Sequence, residues 1–483
     1  MLAMKTLQGA AWLVSARMVG RVIDFMTLLV LARALSPADF GLVAVAMTLI
    51  FVVEVVSELP LTQVLVRLDN IRKSHLDTAF TLAVLRILLF AFIIGSAAWP
   101  FAAVYDDDRL MPLLVALAVG PISRGLYSPG MVKFFRDINF WRGFVTEMSG
   151  KICGTALAIL FVYLGAGYWA IAINGIASAT LATAASYVLA PYRPAFSLKE
   201  WPEFANFISW FTVAQFVGAL NWQFDRMLMG RFVSRTSLGQ YTMANDLAVL
   251  PTQTFVAPAM TSVYAALSSV NSDRERLRNA YLKASRFTMM LAAPLCLGIS
   301  LTSDLIINSL LDTKWVESAA YLEWLALTIV LVPYTQPLQS LVLAVSRADI
   351  IFWMNFINLC FNVTLISLGL YFGSIFGVIA ARGAMSLIMF AASVAVARSL
   401  AGISVKSQFR SLREVAAACV VMTVAVMILR SYLSAINISV YIELVLTSVA
   451  GALVYGSVLH ILGVRIIQVV EGIVRVKLPE VKG

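Results

Sequence analysis

Long apolar runs broken by short polar clusters set the pattern of this chain, and they have neither the alternation of a half-buried strand nor the one-sided stripe of a soluble helix. A bilayer core is crossed by about 20 mostly apolar helical residues. On that measure fourteen spans are predicted, near 9–32, 39–56, 77–100, 109–126, 144–164, 166–189, 204–222, 238–265, 284–302, 319–343, 350–370, 374–396, 411–432 and 440–463. The sixth and seventh are parted by Pro191-Tyr192-Arg193-Pro194, a helix-breaking connector. The expected organisation is an N-terminal lobe at 1–190 (spans 1–6), a connector at 191–203 and a second lobe at 204–398 (spans 7–12). Spans 13 and 14 follow at 411–463, with a basic tail at 464–483. The tail alternates apolar and basic residues, so it is read either as a membrane-surface segment or as a frayed end. No connection is long enough to hold a soluble catalytic domain.

Composition agrees with lipid as the solvent of much of this surface. Of the 483 residues 60% are hydrophobic and 13% charged, and the mean hydropathy is +0.87; soluble domains are about 45–50% apolar. The net charge of +10 comes from 36 Lys and Arg against 26 Asp and Glu. Seven of the cations (Arg33, Arg109, Arg226, Arg231, Arg235, Lys314, Arg430) fall in one set of alternate connections and helix ends. Five more (Arg17, Arg21, Arg86, Lys151, Arg382) fall inside spans, and the remaining twenty-four lie in the connections of the opposite set. That asymmetry predicts both termini in the cytoplasm. It also makes most of the basicity topological, so no nucleic-acid partner is expected. The other side carries acidic loops instead, with Asp106-Asp107-Asp108 expected to solvate a helix turn.

Other chemistries find little support. Cys153, Cys296, Cys360 and Cys419 all sit in apolar runs without a CxxC partner, and His75 and His460 stand far apart. No metal site, disulfide framework or cofactor is expected. Gly150-Lys151 lacks the upstream glycine of a phosphate-binding loop and is followed by Ile152. Ala32-Arg33-Ala34 has the look of a signal-cleavage site, but Arg17, Arg21 and Asp24 interrupt the segment before it, so a retained first span is expected.

Two stretches match across an offset of 198 residues. Ala32-Arg33-Ala34-Leu35-Ser36 with Phe40-Gly41 corresponds to Gly230-Arg231-Phe232-Val233-Ser234 with Leu238-Gly239. Each connects an outgoing span to a returning one, and six spans separate the copies. The even number predicts parallel repeats around an axis along the membrane normal, with a cavity between two six-helix lobes.

The segment ARALSPADFG, the stretch Asp225–Tyr241 (DRMLMGRFVSRTSLGQY) and the connector Lys133-Phe134-Phe135-Arg136 resemble polysaccharide flippases of the Wzx-type exopolysaccharide branch. That branch belongs to the multidrug/oligosaccharidyl-lipid/polysaccharide exporter superfamily. The resemblance covers spans 1–12. It implies an all-α polytopic protein of two lobes plus two C-terminal helices, in the bacterial inner membrane. It further implies that an undecaprenyl-pyrophosphate-linked oligosaccharide is moved from the inner to the outer leaflet by alternating access. The bilayer and the polysaccharide polymerase and chain-length machinery would be its partners.

Charges inside spans cost at least ~2.5–3.5 kcal/mol each on insertion scales, so they face water or a partner. On span 1, Arg17, Arg21 and Asp24 share one narrow helical face, where Arg21 and Asp24 can neutralise one another. Glu147 and Lys151 lie i, i+4 on span 5. Under the resemblance, Arg17, Arg21, Arg86, Lys151 and Arg382 are candidate cavity cations for the pyrophosphate, since guanidinium forks suit phosphate oxygens. Structural pairing is the alternative. Asp24, Glu147, Asp225 and Asp246 are candidate cavity or gating groups, Asp246 alternatively pairing with Arg226 or Arg231. Pro251 and Pro258 should kink span 8. Asn355, Asn358 and Asn362 make a polar stripe for sugar hydroxyls or for helix–helix hydrogen bonds. Trp99, Tyr105, Trp169, Trp315 and Tyr321 are expected as interfacial anchors.

Two other functions compete. A drug or cation exporter would want buried carboxylates, whereas the clearest intramembrane stripe here is net basic. A membrane polymerase or glycosyltransferase would want a large outer loop, and an enzyme is not expected.

Overall fold

The computed structural model describes residues 2–464 apart from 69, 138 and 437, with side chains for all of these except 2–11, 13, 14, 16, 63, 67, 205–215 and 348. The basic tail from 465 onward lies outside the described residues. Every regular element among the described residues is helical, the all-α architecture expected from the apolar runs. The chain divides into two compact units, Met1–Gly239 and Gln240–Gly483.

The first unit holds α1 (Leu2–Ala34), α2 (Pro37–Ser57), the short α3 (Leu61–Arg67), α4 (Lys73–Val104) and α5 (Leu110–Gly125). The short α6 (Val132–Arg136), α7 (Trp141–Tyr163), α8 (Trp169–Leu189) and α9 (Trp201–Phe232) follow, and the unit ends in the first turn of α10 (Arg235–Pro251). Sequence dictates these ends. Ser36 accepts from the Asp39 N–H and Asp39 reaches back to the Ser36 N–H, a capping box with Pro37 in the first turn. On α7, Gly150 and Gly154 let the backbone of α8 approach. A Cβ at Gly150 would lie 2.9 Å from Ala182 Cβ, and one at Gly154 would lie 2.9 Å from the Asn174 carbonyl oxygen. Such small-residue crossings are how membrane helices pack where lipid removes the hydrophobic drive.

In the second unit α10 runs into a π-helical turn at Thr252–Val256 between Pro251 and Pro258, so the prolines bend this span as expected. Then come α11 (Ala257–Ser269), α12 (Arg274–Leu301), α13 (Ser303–Leu310), α14 (Val316–Ile329), α15 (Val332–Ala344), α16 (Ala348–Ala401), α17 (Val405–Ala435) and α18 (Val440–Ile461). The 54-residue α16 is two arms, parted at Ser374 with φ 54°. Gly369 and Gly377 touch backbone to backbone, whereas eight residues of straight helix would hold them about 12 Å apart. The chain therefore doubles back there. Gly402 in the left-handed region (φ 64°) ends α16, and Ser404 caps α17. Buried Gln408 ties the base of α17 by donating to the Val394 and Ile403 carbonyls, each at 3.1 Å, while accepting from the Tyr334 hydroxyl.

Nine helices among the described residues are long and apolar enough to cross a membrane, or ten if α5 and the bent segment at Pro129–Arg136 form one span. Two of the further predicted spans have a visible reason for falling outside that number. Both arms of α16 count once, and the span made of α10 and α11 is broken by its π turn. The large apolar side chains left exposed, such as Phe92, Leu88, Val188, Phe372 and Ile461, form the surface that lipid would cover. Three of the five predicted interfacial aromatics are instead packed inside: Trp315, Tyr105 and Tyr321 are buried, while Trp99 is exposed. Nearness to a span end did not distinguish anchoring from packing.

Candidate functional site

Five charged side chains of α1 and α7 come together where the two helices cross. Gly20 makes the crossing close, since a Cβ there would sit 3.3 Å from Met148 Cε and 3.5 Å from both Glu147 Oε1 and Lys151 Cε. One turn on, Lys151 Nζ donates to both carboxylate oxygens of Asp24 at 2.6 Å. Glu147 Oε1 stands 3.9 Å from the same amine. A turn further, the hydroxyls of Thr27 and Thr155 meet at 2.7 Å. The expected Arg21–Asp24 neutralisation is thus corrected: Asp24 serves Lys151 from the neighbouring helix. The pairing leaves Arg17 and Arg21 exposed on the shared face of α1, with no ion pair to either among the described residues. Asp24 and Glu147 are themselves about half exposed, at 48% and 53%. Five charges, three positive and two negative, therefore form a largely exposed strip along α1 and α7.

The other first-unit candidates, Arg86 on α4 and Asp225 on α9, stand on other helices. Arg86 of α4 sits in the field of Glu58 and Glu54, and Glu54 is forked by Arg124 at 2.9 and 3.0 Å. In the second unit Arg382, on the second arm of α16, donates to the Tyr241 hydroxyl and to Asn245 Oδ1, both at 2.8 Å. Asp225 is buried and accepts from the Arg226 N–H at 2.8 Å, and Asp246 is half-buried on α10. Asn355, Asn358 and Asn362 are half-buried on the first arm of α16, and Asn355 lines a cavity of about 50 Å³ with Thr335 and Gln339.

The loop Asp106–Asp108 does more than solvate a turn. Asp107 takes Arg109 through a two-pronged contact at 2.9 Å per prong and also faces Arg235 Nε at 3.4 Å, while Asp106 takes Arg231 at 3.1 Å. Arg231 is therefore engaged there. Arg235 also donates to the Gly230 carbonyl at 2.6 Å and the Tyr105 carbonyl at 3.1 Å. The hydrogen bond from Arg109 holds the Asp107 carboxyl below the usual carboxylate range, helped by the charges of Arg109 and Arg235.

This clamp surrounds the two copies of the repeated motif. Ser36 and Ser234 each accept a backbone N–H three residues on, at 3.2 and 3.1 Å, and so start α2 and α10 alike. Gly41 lies against the Arg235 carbonyl and Gly239 against the Pro37 carbonyl, each so close that a Cβ would overlap the oxygen. Positions 37 and 235, like 41 and 239, are 198 residues apart, so the contact is reciprocal. The glycine of each motif copy accommodates the backbone of the other.

The connector is strapped to α4 by a ladder the sequence did not announce. Tyr192 donates to Asp77 Oδ1 at 2.5 Å, the Ser197 N–H to Thr81 Oγ1 at 2.9 Å and Ser74 Oγ to Glu200 Oε1 at 2.9 Å. His75 completes it, with Nε2 3.3 Å from Glu203 and 3.9 Å from Glu200. Those three residues offer ligand atoms within 4.8 Å of one another. His75 Nδ1, however, accepts the Arg72 N–H at 3.0 Å, so Nε2 carries the ring proton and has no lone pair for a metal. The cluster is a hydrogen-bonded strap.

The model of a family described as polysaccharide biosynthesis protein matches residues 30–320, a stretch that spans both motif copies. The chain belongs to this family. Relatives similar to it include the succinoglycan biosynthesis transport protein ExoT of Rhizobium meliloti (strain 1021), 24% identical over 364 residues, 73% of this chain and 72% of the relative. The lipopolysaccharide biosynthesis protein WzxC of Escherichia coli (strain K12) is 24% identical over 369 residues, with the same coverage. Among solved structures, the lipid II flippase MurJ in an inward closed conformation superposes with a TM-score of 0.74 at 16% identity, over 93% of this chain and 98% of that one. An inward-facing multidrug transporter of the MOP superfamily gives 0.62 at 13% identity, over 81% and 99%. The family member is thus a multi-pass membrane protein with the fold of that superfamily, as its motifs led one to expect.

Proposed function

We propose that this protein flips a lipid-linked oligosaccharide across the membrane, with the cationic strip of α1 and α7 receiving the phosphate-bearing part of the substrate. The observation that carries this reading is the exposed pair Arg17 and Arg21 on α1, read from the sequence as the first span, beside a lysine already paired with Asp24. Charge in such a position faces water rather than lipid, and two free guanidinium forks offer an anion a planar array of donors. Membership in the polysaccharide biosynthesis family and the naming of its relatives as biosynthesis and transport proteins support a glycan cargo.

In detail, the substrate is an undecaprenyl-pyrophosphate-linked repeat unit taken from the inner leaflet of the bacterial cytoplasmic membrane. Both termini face the cytoplasm, the lobes correspond to spans 1–6 and 7–12, and the protein hands its cargo to a polymerase rather than acting as an enzyme. Two carboxylates serve Lys151, so the strip keeps about one net positive charge, which favours an anionic cargo over a cationic drug. Asp24 and Lys151 hold each other in register. Arg17 and Arg21, held by neither, are free to follow the substrate's phosphates as the cavity changes its exposure.

The test is leaflet-resolved measurement of the lipid-linked repeat unit in cells lacking this gene. The expected result is accumulation in the inner leaflet, reversed by the wild-type gene and not by Arg17→Ala/Arg21→Ala at equal membrane abundance. An unchanged leaflet distribution in the deletion strain would overturn the proposal.

A further inference from the structure

Two cavities of the second unit follow one another along the same helix walls. The larger, of about 480 Å³, runs between Trp324, Leu327 and Leu331 on one side and Phe376, Gly383 and Leu387 of the second arm of α16 on the other. The smaller, of about 50 Å³, begins one turn further along both walls and is lined by Thr335, Gln339, Asn355 and Met389 among others. Positions 324, 328, 331, 335 and 339 advance by three or four residues, so they form one continuous stripe down α14 and α15.

The chemistry changes along the stripe. The larger cavity is walled by aliphatic and aromatic groups. Of its two hydroxyls, Thr328 Oγ1 is spent on the Leu325 carbonyl at 2.8 Å, while the Ser386 hydroxyl is buried and has no hydrogen-bond partner. Its floor is kept low by Gly383, where even a Cβ would come within 3.4 Å of Thr328 Cγ2. The smaller cavity brings the amides of Gln339 and Asn355 beside Thr335, whose hydroxyl donates to the Val332 carbonyl at 2.8 Å. Its end of the stripe leads towards the Arg347–Asp349 pair at the turn between α15 and α16, whose atoms meet at 2.9 Å.

We infer that this slot binds the polyprenyl chain of the substrate, with the tail in the large cavity and the chain running towards Gln339 and Asn355. The inference rests on the proposed flipping reading for the identity of the lipid. The volume of the large cavity lies within the ~300–1,000 Å³ of ordinary ligand pockets. In the proposed topology the Arg347 turn faces the cytoplasm. The slot then runs from polar to apolar in the same direction as a lipid of the inner leaflet, headgroup to tail. A smooth helical surface would serve any acyl chain equally. An indentation between two helices, floored by glycine and rimmed by Trp324 and Phe376, instead favours a bulky, methyl-branched chain that fills it.

The test uses the full chain in nanodiscs and a sugar-free polyprenyl phosphate carrying a photoreactive diazirine near its tail. Phosphatidylglycerol with the same diazirine in an acyl chain is the control, and labelled residues are mapped by peptide mass spectrometry. The expected result is polyprenyl labelling at 324–331 and 376–387, competed by unlabelled polyprenyl phosphate. Filling the slot by Gly383→Leu should reduce it at least about tenfold, equivalent to ~1.4 kcal/mol of binding. Leu387→Trp at the exposed rim should reduce it as well, and this variant carries the test if the first does not fold. Labelling spread over the lipid-facing helices and indifferent to both variants would overturn the inference. So would phosphatidylglycerol labelling the slot with equal sensitivity, which would mark a site for ordinary bilayer lipid only. Specific labelling in a wild-type protein that moves no lipid-linked sugar would overturn the flipping reading and leave the slot. Unaltered labelling in the variants with sugar movement intact would do the reverse.

Discussion

The α1–α7 strip and the Asp106 clamp use the same residue types to opposite ends. In the clamp, Arg109, Arg231 and Arg235 each meet a carboxylate within 3.4 Å, and Arg235 adds two carbonyls. In the strip one cation, Lys151, takes Asp24 and Glu147, while Arg17 and Arg21 make no ion pair among the described residues. A cation held by protein carboxylates positions backbone; one left open in an apolar helix can hold a ligand. The difference separates charge spent on holding the fold from charge left open to a ligand within one unit.

The comparison is broken most forcefully at the glycines the clamp encloses. Gly41→Leu or Gly239→Leu drives a side chain into a backbone carbonyl that cannot rotate away, and overpacking of this kind costs about 1–3 kcal/mol or more. The expected outcome is a melting temperature lowered by several degrees and loss of transport. Gly95→Ala, where a Cβ meets nothing within 4 Å, should leave both unchanged. Next in size is Arg17→Ala/Arg21→Ala, expected to lower polymer export at least about tenfold with no fall in melting temperature. Such a split between function and stability is what an open cation predicts. Arg231→Ala should reverse the emphasis, shifting stability slightly while export persists. A smaller effect belongs to Lys151→Met. Its pair with Asp24 is partly exposed, so a stability loss of about 0.2–1 kcal/mol is expected, and Asp24→Asn/Lys151→Met should cost less than the two single changes together.

Acid gives a graded test of the clamp. The Asp107 carboxyl is held below its ordinary value by Arg109. Its contribution to stability is therefore complete above the unfolded value of about 3.9 and is lost only as pH falls through the lower folded value. Unfolding followed from pH 7 to 5 should show no loss attributable to Asp107, and an Asp107→Asn variant should differ from wild type by the same amount throughout that range. The smallest effect is expected for Arg347→Ala. Its pair with Asp349 is exposed, and neither stability nor export should change measurably.

The helical architecture was legible because lipid demands long apolar runs, and the kink at Pro251–Pro258 was legible because proline lacks the N–H that a helix needs. The motif copies were legible as a repeat. Their reciprocal docking was not, because a sequence offset of 198 does not say that Gly41 and Gly239 touch. Charges on a single helix could be placed on one face, so Arg17, Arg21 and Asp24 were grouped correctly. The partner of Asp24 lies 127 residues away on another helix, and no local spacing encodes that. The same holds for Asp106 with Arg231 and for Tyr192 with Asp77, where the signal was only a polar residue in an unexpected place. The polar run Ser74, His75, Asp77, Thr78 and Thr81 at the start of a membrane helix was such a signal. The structure assigns it to anchoring the connector.

The central claim, that the open cations of α1 move an anionic lipid-linked sugar, is tested most directly by reconstitution. Purified protein in vesicles would be given a fluorescent polyprenyl-pyrophosphate oligosaccharide, and the fraction reaching the far leaflet would be read by a membrane-impermeant quencher. The account predicts transfer well above protein-free vesicles, reduced at least about tenfold by Arg17→Ala/Arg21→Ala and unaffected by Arg347→Ala. Transfer by the double variant at the wild-type rate would contradict it.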